Sequence, residues 1–92
     1  MWKVTWSKKV EKQLDKVPDY IASKFRDWAV AVEAEGLPEV RKLPGFHDEP
    51  LKGERRGQRS VRLSRAYRAI YLEGREGQVR IVEVIEVNKH EY

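Results

Sequence analysis

Apolar residues alternate with polar ones at the start of the chain, and Trp2, Val4 and Trp6 share one side. This two-residue period predicts a short strand. The period then lengthens. Ser7 suits a helix cap, and Val10, Leu14 and Val17 follow at i, i+4 and i+7 along one helical face. Pro18 interrupts that helix and fits the first turn of a second one, with Asp19 near its positive end. Ile21, Phe25, Trp28, Ala29 and Val32 make a longer apolar stripe at helical spacing, which Gly36 and Pro38 stop. Two helices joined at Pro18 predict a hairpin lying on a sheet.

From Leu37 to Gly57 the chain is rich in glycine, proline and charge, which predicts a long loop with room for one helical turn. Loops of this length inside a small domain are more often functional than not. Leu51 is expected to anchor the loop on the core, leaving Glu49 and Lys52 outside. Strands resume at Arg59. Val61 and Leu63 point one way while Ser60, Arg62 and Ser64 point the other, giving one basic, solvated face. Ser64-Arg65-Ala66 forms the expected turn into a strand from Tyr67 to Leu72. Gly74-Arg75-Glu76-Gly77 marks a second turn, and Val79 to Val87 reads as a final strand buried on much of both faces. The order is β-α-α-β-β-β. It predicts one α+β domain over residues 1–92, with the helical hairpin on a three-stranded antiparallel meander. The first strand can join the sheet edge to make four.

Composition narrows the chemistry. With no cysteine there is neither a disulfide framework nor a cysteine-based zinc site. No apolar run is long enough to span a membrane, and the N-terminus lacks the apolar stretch of a secretory signal, so a cytoplasmic protein is expected. The net charge of +4 is unevenly spread. Residues 1–40 hold seven Lys/Arg and seven Asp/Glu, whereas residues 41–68 hold nine basic groups against Asp48, Glu49 and Glu54. A block of six excess positives, mostly arginine, suggests a polyanion site, since guanidinium forks match phosphate geometry. A soluble basic face or a dock for an acidic partner is the plainer alternative.

Three groups hold candidate chemistry. The first is the loop Glu49-Pro50-Leu51-Lys52-Gly53. The second is Tyr67-Arg68-Ala69-Ile70-Tyr71, where Arg68 alternates with apolar neighbours and is expected to be partly buried. Such burial demands a counter-charge, so Arg68 is either half of a structural ion pair or a rigid phosphate clamp. The third is Lys89-His90-Glu91-Tyr92, a chain end that would ordinarily fray but here follows the most apolar strand. Histidine is the side chain best suited to proton transfer near neutral pH. No His, Asp and Glu cluster has credible metal spacing, His47-Asp48-Glu49 being the weak exception, and no glycine-rich phosphate loop is present. Together the groups supply what RNA cleavage without a metal or cofactor requires. The nucleophile is the RNA's own 2′-hydroxyl, so the protein need offer only a base, an acid and cations. The products would be a 2′,3′-cyclic phosphate and a 5′-hydroxyl.

At these residues the sequence resembles toxins of bacterial type II toxin–antitoxin systems, the RelE/ParE superfamily, across essentially the whole chain. Closest in pattern are the RelE-, YoeB- and HigB-like ribosome-dependent mRNA endonucleases. The resemblance implies Glu49 as general base, with Lys52 contacting the scissile region and an alternative base. It implies Arg68 as the phosphate-holding arginine, His90 as general acid and Tyr92 as the residue that orients or stacks on a base. Arg62 and Arg65, with Arg55, Arg56, Arg59 and Lys89, would form the RNA track. The expected partners are mRNA in the ribosomal A site and a cognate antitoxin, with no membrane and no metal.

The chain stops at Tyr92, so the site would hold this tyrosine by stacking or by its carboxylate, and a C-terminal tag would damage activity. ParE-like members of the same superfamily inhibit DNA gyrase instead and generally lack the terminal His/Tyr pair. A degenerate toxin surviving as a binding partner is the remaining alternative.

Overall fold

The Ser7 hydroxyl accepts a hydrogen bond from the Val10 N–H and starts the first helix where the sequence predicts it. The computed structural model describes residues 1–89. Strand β1 (Trp2–Trp6) leads into α1 (Lys8–Lys16) and α2 (Asp19–Glu35). Pro18 separates the helices: it lacks an N–H, while its carbonyl accepts from Ile21 and Ala22 in the first turn of α2. Gly36 ends α2 at φ 89°, and a Cβ there would lie 2.9 Å from the Trp2 indole nitrogen. Only glycine meets both demands.

The chain does not go straight into a loop after Gly36. Leu37 and Val40 are buried and anchor a short helix, α3 (Leu37–Arg41), with Pro38 in its first turn. The loop proper carries two single 3-10 turns and a two-residue strand, β2 (Glu49–Pro50). Its hydrophobic anchor is Phe46; both Phe46 and Leu51 are half-buried, but Phe46 packs against the core cluster and Leu51 does not. The expectation that Leu51 pins the loop is corrected accordingly.

The sheet contains β3 (Arg59–Arg62), β4 (Tyr67–Glu76) and β5 (Val79–Lys89) beside β1 and β2, in the order β1-β5-β4-β3-β2. It is therefore five-stranded and mixed, not a three- to four-stranded antiparallel sheet. β1 runs parallel to β5, and β2 adds the fifth strand at the far edge. The parallel pairing follows from the helical hairpin, which returns the chain to the end of the sheet from which it left. The second hairpin turn also falls later than expected: Gly74, Arg75 and Glu76 remain paired with Ile81, Arg80 and Val79, and Gly77 at φ 59° makes the reversal.

The helices pack on one face of the sheet. Val10, Leu14, Ile21, Phe25, Trp28 and Val32 meet Val4, Val61, Tyr71, Val82, Val84 and Val87 there. Each fully buried side chain of this size contributes about 1.5–3 kcal/mol. Trp6 packs edge-on against Phe25 at 5.1 Å, and Trp28 lies 5.5 Å from Tyr71, so aromatic contacts tie the middle of α2 to both β1 and β4. Val84 and Val87 both face this core although they are three positions apart, an odd spacing that plain alternation would put on opposite faces. Tyr71 pairs with Val84 and Ile70 with Glu86, leaving Ile85 as a bulge that restores the alternation. On α1, Gln13 accepts the Val87 N–H at 2.8 Å and holds the bulged strand to the helix. At the β1 edge the Val4 N–H donates to the Glu33 carboxylate of α2 at 2.9 Å.

Candidate functional site

Residues paired across neighbouring strands share a face, so the register writes out the side of the sheet away from the helices. One row there is Glu49, Ser60, Ile70 and Glu86; the next is Arg62, Arg68 and Asn88. Ser60 and Ile70 are buried, which corrects the expectation of a wholly solvated face on β3. Around them lies an open depression of about 310 Å³, counting the solvent at its mouth. Its lining includes His47, Glu49, Arg62, Arg65, Tyr67 and Arg68. Three arginines thus line one depression together with one carboxylate and one imidazole.

Arg68 is half-buried, as its place between Tyr67 and Ala69 predicts, but no carboxylate among the described residues pairs with it. Its Nε donates to Asn88 Oδ1 at 3.4 Å. Asn88 in turn donates from its amide to Glu86, whose carboxylate also holds Arg55 at 2.8 Å. A neutral amide therefore orients the Arg68 guanidinium without cancelling its charge. Glu86 is spent on Asn88 and Arg55 instead.

Other basic residues are engaged differently. Arg55 is committed to Glu86 and to Gln58, at 2.8 and 2.9 Å. Arg59 lies on the helix side, 2.7 Å from a fully buried Asp48 carboxylate. Lys52 and Arg56 are exposed on the loop between β2 and β3, and Lys89 is exposed at the end of the described chain, opposite Tyr67. His90 and Tyr92, the expected acid and stacking residue, lie outside the described residues.

Asp48 organises the loop. Besides Arg59 it accepts the Tyr71 hydroxyl at 2.5 Å, and Arg41 of α3 approaches it at 3.7 Å. Arg41 also donates to Tyr71 and to Glu73. Burial above all, then the bond to Asp48, pushes the Tyr71 phenol well above its ordinary range, while Arg41 opposes the shift. From the sequence, Asp48 and His47 stand out only as part of a weak metal-spacing run, not as a buried anchor and a lining residue. An Asp in a basic loop looks like solvated surface, and the signal that it is buried lies in Arg41, Arg59 and Tyr71, each distant in the chain.

The family model for the ParE toxin of type II toxin-antitoxin system, parDE, matches residues 4–91. The chain belongs to this toxin family. Solved structures agree on the fold. A YoeB/ParE toxin from Agrobacterium tumefaciens superposes with a TM-score of 0.71 at 21% identity, over 97% of this chain and 99% of that one. YafQ from E. coli gives 0.74 at 13% identity, over 98% and 94%. A heterotetrameric YoeB–YefM toxin–antitoxin complex from Staphylococcus aureus gives 0.69 at 15% identity, over 100% and 99%. At these identities the likeness is one of fold. No curated protein sequence matches the chain. The protein is thus a type II toxin of the RelE/ParE superfamily with the α+β architecture of the YoeB- and YafQ-like structures. No described helix of the toxin is long and apolar enough to cross a membrane.

Proposed function

We propose that this toxin is a ribosome-dependent mRNA endonuclease that stops translation by cutting RNA without a metal or cofactor. The observation that carries the reading is Arg68: a half-buried guanidinium, held by the neutral Asn88, in one depression with Glu49, Arg62 and Arg65. A guanidinium kept charged and oriented but not neutralised, as Arg68 is, suits a pentacoordinate phosphorane, whose negative charge grows in the transition state. In the reaction Glu49, or Lys52 from the adjoining loop, removes the 2′-hydroxyl proton. Arg68 stabilises the phosphate, and His90 protonates the departing 5′ oxygen, with Tyr92 stacked on a base. Arg62, Arg65, Arg56 and Lys89 guide the strand. Arg55 and Arg59 support the site through Glu86 and Asp48.

A shallow site leaves much of substrate positioning to the ribosomal A site, so naked RNA should be cut poorly. A cognate antitoxin is the second partner, as in the YoeB–YefM complex. The deciding experiment is inducible expression with mapping of mRNA 5′ ends. Cuts in register with translated codons support the reading, and growth arrest without them sinks it. The match to the ParE model favours one alternative, a non-nucleolytic gyrase inhibitor, and a supercoiling assay with purified gyrase distinguishes the two.

A further inference from the structure

His47 stands in the depression beside Glu49, yet the cleavage scheme above gives it no part. Its Nε2 lies 3.3 Å from Glu49 Oε2, and the two side chains are 55% and 54% exposed. An exposed pair of this kind adds at most about 1 kcal/mol to stability. The backbone at His47 is left-handed, with φ 43°, and His47 is the one described non-glycine residue with a positive φ. Holding a side-chain-bearing residue there costs about 1–3 kcal/mol, so the surface pair by itself does not account for the arrangement. The cause is Asp48. Its carboxylate is drawn fully into the interior by Arg59 and Tyr71, which nails the chain between His47 and Glu49 and leaves both neighbours facing the depression.

We propose that His47 and Glu49 form a proton-relay pair on the 2′-hydroxyl side of the cut; this rests on the ribonuclease reading. The Glu49 carboxylate takes the 2′ proton as O2′ forms its bond to phosphorus, and the proton passes across the contact to Nε2 of neutral His47. The P–O5′ bond breaks, its electron pair goes to O5′, and O5′ takes a proton from the acid of the site. After the product leaves, His47 returns its proton to water and the pair is reset. The titratable and charged groups facing the imidazole are Glu49 on β2, Arg62 on β3, Arg65 in the following turn, and Tyr67 and Arg68 on β4. His47 acts through Glu49 and is a positioning and relay residue.

The test is single-turnover cleavage of mRNA on purified ribosomes from pH 5 to 8.5, using the wild type, His47→Gln, Glu49→Gln and the double variant. His47→Gln is expected to slow cleavage about 30-fold at neutral pH, less than a direct acid or base supplies. In the Glu49→Gln background it should cost no more than about twofold, because the pair acts as a unit. His47→Gly relaxes the left-handed backbone while removing the imidazole, so it should be no less stable than the wild type and as slow as His47→Gln. Wild-type rates in both His47 variants, or losses that multiply in the double variant, overturn the relay alone. A wild-type chain that cuts nothing overturns the ribonuclease reading and the relay with it.

Discussion

Tyr71 donates its hydroxyl to the buried Asp48 carboxylate at 2.5 Å while its ring lies 5.5 Å from Trp28. One side chain thus joins the helix-side core to the loop that bears Glu49. Removing Asp48 leaves Arg41 and Arg59 facing a buried site without its anion, and breaking such a pair costs about 3–5 kcal/mol. Asp48→Ala is expected to approach that loss in urea unfolding, with Tyr71→Phe costing about 1–3 kcal/mol. A loss within 0.5 kcal/mol for Asp48→Ala, on the order of a surface substitution, would contradict the anchoring role.

The same phenol sets an alkaline limit. Its acidity in the folded protein is weakened, chiefly by burial, so the neutral form stabilises the fold. That contribution is complete below the ordinary tyrosine value of about 10 and is lost as pH rises through the higher folded-state value. The stability gap between wild type and Tyr71→Phe should therefore narrow above about pH 10. Tyrosinate absorbance checks it: one step should appear only together with unfolding, and Tyr71→Phe should lack it.

Arg68 should tolerate little change. Arg68→Ala is expected to weaken both cleavage and growth arrest, and Arg68→Lys should not rescue them, because an ammonium lacks the planar fork. Asn88→Ala should give a milder defect, since it frees the guanidinium without removing it. Equal activity in Arg68→Lys and wild type would argue against phosphate clamping. Cleavage on ribosomes, scored against ribosome binding, separates these outcomes.

His90→Ala is expected to reduce single-turnover cleavage by roughly 10²- to 10⁴-fold with ribosome binding nearly intact. Unchanged cleavage would remove His90 from the acid role. EDTA should leave the chemical step unaltered wherever the ribosomes themselves stay intact.

Local periodicity made the helices legible. The Ser7 cap, the Pro18 break and the stripe from Ile21 to Val32 are all short-range signals, as are the alternations that place Val61 on one face of β3 and Arg62 on the other. Pairing is different. Nothing within Trp2–Trp6 says that its neighbour is β5, and nothing near Ile85 announces a bulge, because register is settled by partners far along the chain. The site divides the same way. The half-burial of Arg68 follows from its own neighbours. That Arg59 would be drawn inward, or that His47 would be brought against Glu49, depends on where Asp48 finds its counter-charges.

The two borders of the sheet have a bearing on handling the protein at high concentration. Open strand borders are templates for cross-chain growth. On the β1 border a carboxylate, Glu33, already takes the Val4 N–H. The β2 border is two residues long and includes Pro50, which has no N–H to give. A chain built this way offers little to fibril-like stacking, and Glu33→Ala should make it more prone to aggregate.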